Sequence, residues 1–202
     1  MNPNDAATYE GYAGWLLALG RIDEALVWYR RGRELYPDLI SGADMGFALI
    51  CARRYDEAKR EYQSMLGVTP NDRNALWSLG FVMIVDGHPA DAIPSLEKAV
   101  VLSNRSPGVI GTLIDAYAQA GRRTDAIRLL TELKKRKQTG YVPATPFVWA
   151  YLGLGDHEQV FAWLEQAYKE QSNFLQWMKV HPVFDSVRGD PRFADLVKRI
   201  GL

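Results

Sequence analysis

Hydrophobic residues between positions 74 and 102 recur at the three- and four-residue spacing of amphipathic helices. The segment "NALWSLGFVMIVD", residues 74–86, is apolar at Leu76, Leu79, Phe81 and positions 83–85. The segment "ADAIPSLEKAVVL", residues 90–102, places one apolar face on Ala92, Leu96, Ala99 and Leu102. Gly87, His88 and Pro89 interrupt the pattern between the two segments. The pattern therefore predicts two helices joined by a short turn.

The same pair of helices is predicted five times along the chain. Similar stretches mark the repeats: "GRIDEAL" (20–26), "RRYDEAK" (53–59), "GHPADAI" (87–93), "GRRTDAI" (121–127) and "GDHEQVF" (155–161). The aligned small residues are Ala25, Ala58, Ala92, Ala126 and Val160, at spacings of 33, 34, 34 and 34 residues. A fixed period in this range is typical of stacked helical repeats. One such unit cannot bury both of its apolar faces, so each unit should depend on its neighbours for stability.

The turn inside each predicted unit carries a glycine in four cases of five. Glycines 20, 87, 121 and 155 suit a helix end that needs a positive φ. Arg53 occupies the equivalent position in the second unit. We therefore expect the second turn to differ slightly from the others.

These residues resemble the tetratricopeptide repeat (TPR) family over about residues 2–171. In the third unit the matching residues are "LWSLG" (76–80), Gly87, Ala92, Leu96 and Ala99. The departures are Trp77, which falls one place late, and Gly32, Met65 and Leu133 at the second small site. The resemblance implies an all-α fold, a right-handed superhelical solenoid of about five TPR-like helix pairs plus a C-terminal capping helix. It also implies that the first helices of the units line a concave groove.

The predicted solenoid covers residues 1–171, and residues 172–202 form a capping segment. The units are expected at about 6–38, 39–72, 73–106, 107–140 and 141–171. In the fifth unit, prolines and Gly140 shorten the first helix to about 145–154, with Thr145 as its cap. Asp190 followed by Pro191 predicts a last helix over 191–200 that covers the end of the stack.

Both ends of the sequence suggest a larger protein. The stretch "NPND" at residues 2–5 is similar to "TPND" at 69–72, where a proline closes a unit. We expect it to be the end of a preceding repeat, although Asp5 could equally be an N-cap. The series "LGD…FAWLEQAY…HPVF…DPRFADL" resembles the C-terminal end of bacterial signalling proteins. In those proteins TPR arrays follow a DNA-binding, nucleotide cyclase or kinase domain.

The resemblance places the partner-binding residues on the first helices of the units. The candidates are Phe47, Ile50, Trp77, Phe81, Ile84, Asp115 and Trp149. Units two and three are apolar at these positions, which favours an apolar or amphipathic segment as the ligand. The Lys and Asn residues with which some TPR proteins clamp a terminal carboxylate are missing, so we reject that mechanism here.

Several occupants of this apolar groove remain open. It could receive a partner helix, a second copy of the chain or the protein's own tail, or its residues could be ordinary core. Phe81→Ala in an open groove should weaken binding and leave the melting temperature nearly unchanged. In a core, the same truncation should cost about 3–5 kcal/mol of stability.

Composition and charge exclude several classes of function. Of 202 residues, 48% are apolar, and 24 basic residues balance 24 acidic ones. A neutral chain has no bulk attraction for nucleic acid or anionic membrane, so we expect neither as a partner. Cys51 is the single cysteine, and the three histidines are not spaced as metal ligands. We therefore predict no metal, no cofactor and no catalytic residues.

The sequence thus favours a non-enzymatic protein-interaction or scaffold module, the regulatory part of a larger bacterial protein. Its partner would be a protein or peptide with an apolar segment. The alternative is a homo-oligomerisation platform, with the groove or the end units paired in a homodimer. The first twenty residues contain acidic residues and no basic n-region. We expect a cytoplasmic location, or a periplasmic one if the parent protein is membrane-anchored.

Overall fold

A computed structural model describes residues 6–37 and 42–202, and every secondary-structure element in these ranges is helical. The α-helices are α1 (Ala6–Ala18), α2 (Ile22–Leu35), α3 (Gly42–Cys51), α4 (Tyr55–Val68), α5 (Arg73–Val85), α6 (Pro89–Leu102), α7 (Pro107–Gln119), α8 (Arg123–Thr139), α9 (Thr145–Leu154), α10 (His157–Lys169) and α11 (Pro191–Ile200). Two short 3₁₀ helices, Asn173–Trp177 and Pro182–Phe184, lie between α10 and α11. The "NPND" stretch, the Asp5 cap and the boundary between the first two predicted units lie outside the described residues.

The first ten α-helices form five pairs that stack in sequence order. Within each pair the two helices pack together, and the second helix of each pair also contacts the first helix of the next. The aligned residues Ala25, Ala58, Ala92, Ala126 and Val160 are all completely buried. The predicted all-α repeat architecture is therefore confirmed.

The five turns within the pairs share one backbone geometry, so the expectation of a different second turn is wrong. Gly20, Gly87, Gly121 and Gly155 have φ between 72° and 83°, and Arg53 has φ 60°. At each turn, the N–H of the residue with positive φ donates to the carbonyl three positions earlier in the chain. The N–H of the residue after it donates to the carbonyl five positions before that residue. Arg53 therefore accepts the left-handed conformation that the other units assign to glycine.

Close crossing of the paired helices depends on a glycine in units two and three. A Cβ built on Gly46 would lie 2.5 Å from Cζ of Tyr62, and one on Gly80 would lie 2.5 Å from Cγ of Leu96. Tyr62 and Leu96 are fully buried and cannot easily move aside. Glycine at these positions lets a bulky side chain of the second helix fill the crossing point.

Units four and five approach each other backbone to backbone through α7 and α9. A Cβ on Gly111 would lie 2.5 Å from the carbonyl oxygen of Pro146, and one on Gly153 would lie 2.5 Å from Cα of Asp115. This close approach buries Asp115 in the middle of α7.

The last part of the chain follows the predicted helix but not the predicted cap of α9. Asp190 caps α11, since its carboxylate accepts from the N–H of Arg192 at 2.9 Å. Thr145 does not cap α9, and its hydroxyl is hydrogen-bonded to that of Ser172 at 3.2 Å. The first N–H of that turn, on Ala144, donates instead to the Glu170 carboxylate at 2.8 Å. A side chain at the C-terminal end of the following helix, α10, therefore takes the place of the local cap.

Gly80→Ala is expected to lower the free energy of unfolding by about 1–3 kcal/mol, because the new methyl group overlaps the buried Leu96. The matched control is Gly67→Ala in α4, where the added Cβ meets no atom within 4 Å. The control should be neutral or stabilising by up to about 1 kcal/mol. Urea denaturation measures both variants, and equal stabilities would refute the proposed role of Gly80 in the crossing.

Candidate functional site

The concave face of the stack is covered by residues 173–187, which we call the tail segment. Rings of the tail segment contact rings of the first helices: Trp177 with Phe47, 5.1 Å between centroids, and Phe174 with Trp149, 4.7 Å. The sequence left several occupants of the groove open, and in the structure the groove is occupied by the chain's own tail.

His181 lies at the centre of the contact between the tail segment and the stack. Its ring centroid is 5.1–5.7 Å from those of Phe47, Phe81, Trp149 and Phe174, which come from three different units and the tail itself. Its Nδ1 accepts a hydrogen bond from the N–H of Val183. Burial, and then the positive charges of Arg53 and Arg188, lower the pKa of His181 to about 3. The imidazole is thus neutral near pH 7 and packs as an aromatic core residue.

Arg53 ties the tail segment to the second unit. Its guanidinium donates to the carbonyl oxygens of Cys51 and Val180, both at 2.9 Å, and to both oxygens of the Asp185 carboxylate at 2.8 and 2.9 Å. A non-glycine residue in the left-handed region costs about 1–2 kcal/mol. The four hydrogen bonds offset this cost, which explains an arginine where the other units have glycine.

The tail segment divides the groove into two cavities. The first, which we call the aromatic cavity, has a volume of about 360 Å³. The stack contributes Phe47, Ile50, Trp77, Phe81 and Trp149 to its wall, and the tail contributes Phe174, Trp177 and His181. Asp44, Asn74 and Ser78 add polar groups. Five of the seven predicted site residues therefore meet around one cavity.

Exposure differs among these five residues. Ile50, Phe81 and Trp149 are buried, whereas Phe47 and Trp77 are half-buried. The indole N–H of Trp77 donates to the hydroxyl of Thr112 at 2.8 Å, which fixes the orientation of this ring. Phe81 packs as a core residue, so we expect Phe81→Ala to cost about 3–5 kcal/mol of stability. Trp77 and Phe47 are the walls that a ligand could reach.

The remaining two predicted residues, Ile84 and Asp115, line a second cavity of about 380 Å³ on the other side of the tail segment. Asp115 is 1% exposed; its Oδ1 accepts from Gln119 Nε2 at 2.7 Å, and its Oδ2 has no hydrogen-bond partner. Burial raises the pKa of Asp115 to about 7, opposed by the Gln119 hydrogen bond. This carboxyl group thus titrates near neutral pH inside the protein.

Sequence reasoning missed the part of the site that the tail contributes. His181, Phe174 and Trp177 lie in the predicted capping segment, and local periodicity does not reveal contacts across more than a hundred residues. One signal was present: Arg53 breaks the glycine pattern and binds the tail. In the described ranges, no three His, Cys, Asp or Glu side chains come together as metal ligands. No helix among the described residues has the length and apolar character needed to cross a bilayer.

Comparison with known proteins finds similarity to a repeat family in part of the chain. The sequence model of a tetratricopeptide repeat family matches residues 83–142. The aspartyl/asparaginyl beta-hydroxylases of Homo sapiens and Mus musculus are 31% and 30% identical over 83 residues, which are 41% of this chain and 11% of each enzyme. The chain thus spans about a ninth of the length of these curated relatives.

A solved structure shows the same fold over most of the chain. It is the crystal structure of YrrB, described as a TPR protein with an unusual peptide-binding site. The TM-score is 0.53 at 21% identity, and the likeness covers 88% of this chain and 92% of that one. The fold is therefore a helical repeat solenoid.

Arg53→Gly is expected to loosen the tail segment without distorting the turn, because glycine keeps the left-handed backbone and loses the four hydrogen bonds. Hydrogen exchange of the amides of residues 178–187 should become faster. The matched control is Arg54→Ala, since Arg54 pairs only within its own turn, with Glu57. Unchanged exchange in the Arg53 variant would contradict the role of Arg53 in holding the tail.

Asp115→Asn is expected to stabilise the protein at pH 8 and to have little effect at pH 4. The folded-state pKa of about 7 lies above the unfolded value near 3.9, so the native state loses stability as the pH rises between these values. The substitution removes the free-energy cost of ionising the buried carboxyl group. At pH 8 this cost is up to about 4 kcal/mol, because each unit of pKa difference corresponds to about 1.4 kcal/mol.

Urea denaturation at the two pH values measures this difference. Asp195→Asn on α11, whose side chain is largely exposed, is the control and should change little at either pH. Equal effects of Asp115→Asn at pH 4 and pH 8 would contradict a buried carboxyl that titrates between them.

Proposed function

We propose, because the chain carries tetratricopeptide repeats, that it is a non-enzymatic interaction module whose aromatic cavity binds an apolar side chain of a partner segment. Tetratricopeptide repeats in general mediate contacts between proteins. The similarity to the two hydroxylases covers 11% of each enzyme, so we extend none of their activity to this chain. The observation that carries the proposal is the cavity wall, where Trp77 and Phe47 remain half-exposed beside buried aromatic rings.

The size and wall of the aromatic cavity support a single anchoring side chain. A volume of about 360 Å³ lies at the small end of the range for ligand pockets, about 300–1,000 Å³. An extended peptide that fills the whole groove is not favoured, because the tail segment already occupies it. We infer that the partner inserts one large aliphatic or aromatic side chain and lies over the rest of the concave face.

The polar groups of the cavity favour a basic residue next to the apolar anchor in the partner segment. Asp44 and Asn74 are exposed residues that line the cavity on α3 and α5. A carboxylate accepts hydrogen bonds and attracts cations, and an amide side chain both donates and accepts. An amphipathic partner segment with a Lys or Arg beside its apolar anchor would therefore match both features.

We propose further that the module is the regulatory part of a larger bacterial protein. The resemblance of residues 154–196 to the tails of bacterial signalling proteins supports this assignment. We also propose a cytoplasmic location, or a periplasmic one if the parent protein is anchored in a membrane. The alternative of self-association through the groove is less well supported, since the tail segment fills that face.

Asn74→Trp tests the cavity directly, because a large ring at this exposed cavity residue should block entry. Peptides selected from a random displayed library on the wild-type protein provide the ligands. They should contain a large apolar anchor, and their affinity for Asn74→Trp should fall by at least about tenfold, a loss of about 1.4 kcal/mol.

The matched control is Arg73→Trp, which adds the same ring at the neighbouring exposed residue, away from the cavity lining. It should leave the affinity unchanged. Equal affinity of the peptides for Asn74→Trp and wild type would refute the aromatic cavity as the binding site. Competition among selected peptides that lack any apolar anchor would refute it as well.

A further inference from the structure

The first unit exposes a cluster of aromatic and aliphatic side chains that we call the end face. Its members are the half-buried Tyr12 and the exposed Trp15 on α1, the exposed Leu19 just after α1, and the exposed Val27, Trp28 and Leu35 on α2. The Tyr12 ring joins the two helices, with its centroid 5.7 Å from that of Trp15 and 4.8 Å from that of Trp28. Trp15 remains 53% exposed. Tryptophan and tyrosine on one exposed surface are typical of the centre of a protein interface.

The repeat itself shows that the end face is unusual. The residues equivalent to Trp15 in the other four units are Ala48, Val82, Ala116 and Ala150, and all four have zero exposure. In those units the first helix is covered by the second helix of the preceding unit. Trp15 therefore distinguishes the end face from the faces between the inner units.

The charges along α2 have an order that complements itself. On either side of Val27 and Trp28 lie two exposed pairs, Arg21 with Glu24 and Arg31 with Glu34. In an antiparallel arrangement of two α2 helices centred between residues 27 and 28, Arg21 faces Glu34 of the other helix. In the same arrangement Glu24 faces Arg31. Each charge of these two pairs then meets its opposite across the two-fold axis.

We propose that a second copy of this chain docks on the end face, with the two α2 helices antiparallel across a two-fold axis. Trp28 and Val27 lie at the centre, Tyr12 and Trp15 extend the apolar contact to α1, and the charged pairs form the rim. The formal net charge of zero adds no overall repulsion between the copies.

The proposed dimer leaves the aromatic cavity free. None of the end-face residues lines that cavity. Self-association and peptide binding are therefore separate properties, and each can fail while the other holds.

Sedimentation velocity of the whole chain over a micromolar concentration series tests the dimer. Wild type should show a concentration-dependent dimer, and Trp28→Ala should raise its dissociation constant by at least about tenfold. Tyr141→Ala is the control, since it removes an exposed aromatic ring outside the end face, 78% exposed against 37% for Trp28. Circular dichroism checks that each variant keeps its helices.

A charge exchange tests the antiparallel geometry separately. Glu24→Arg alone and Arg31→Glu alone should each weaken the dimer, because each places like charges opposite one another. The double variant should restore association to near the wild-type value, because position 24 of one copy again meets an opposite charge at position 31 of the other.

Either of two results would overturn the proposal. A wild-type chain that stays monomeric at every concentration would assign the end face to a different partner, such as another protein or a further segment of a longer chain. A dimer that survives Trp28→Ala and both single charge variants would place the contact elsewhere.

Discussion

Each helix pair of this protein leaves apolar faces that only its neighbours in the stack can bury. The close crossings at Gly46 and Gly80 hold the two helices of a pair together, but they do not cover the faces between pairs. The stability of a solenoid is therefore a sum over neighbouring contacts, and both ends and the inner groove need separate solutions. Most of the unusual features of this chain lie at those three places.

The tail segment covers the apolar groove, and it also joins units that are not adjacent in the stack. Contacts in a linear stack join adjacent units, whereas the tail joins units two, three and five around His181. The first 3₁₀ helix of the tail also lies against α1. Arg53 attaches the tail to the stack through the Val180 carbonyl and the Asp185 carboxylate. Arg188, just after the tail segment, donates to the carbonyls of Lys179 and His181 and stabilises the tail internally. The array thus becomes a closed body with two small cavities in place of one long groove.

The sequence predicted what depends on neighbouring residues and missed what depends on distant ones. The period of about 34 residues, the helix pairs and the helix from Pro191 to Ile200 follow from local patterns of apolar, small and capping residues. The Thr145 cap failed because the Thr145 hydroxyl pairs with Ser172, and Glu170 at the end of the following helix accepts from the N–H of Ala144. The turn at Arg53 was predicted wrongly because its strain is offset by bonds to residues 127 and 132 positions away. Of the candidate site, the stack residues could be found from the repeat, while the tail residues could not.

If the aromatic cavity binds a partner as proposed, its shared wall couples that binding to the position of the tail segment. Phe174, Trp177 and His181 form one side of the cavity, so a ligand that needs this side binds only molecules in which the tail is docked. By linkage, the same ligand must favour the docked tail by the difference in its affinities for the two states. Arg53 holds the tail at Val180 and Asp185, next to His181 but outside the cavity lining. The strength of that attachment would therefore set the affinity of the cavity without contact between Arg53 and the ligand.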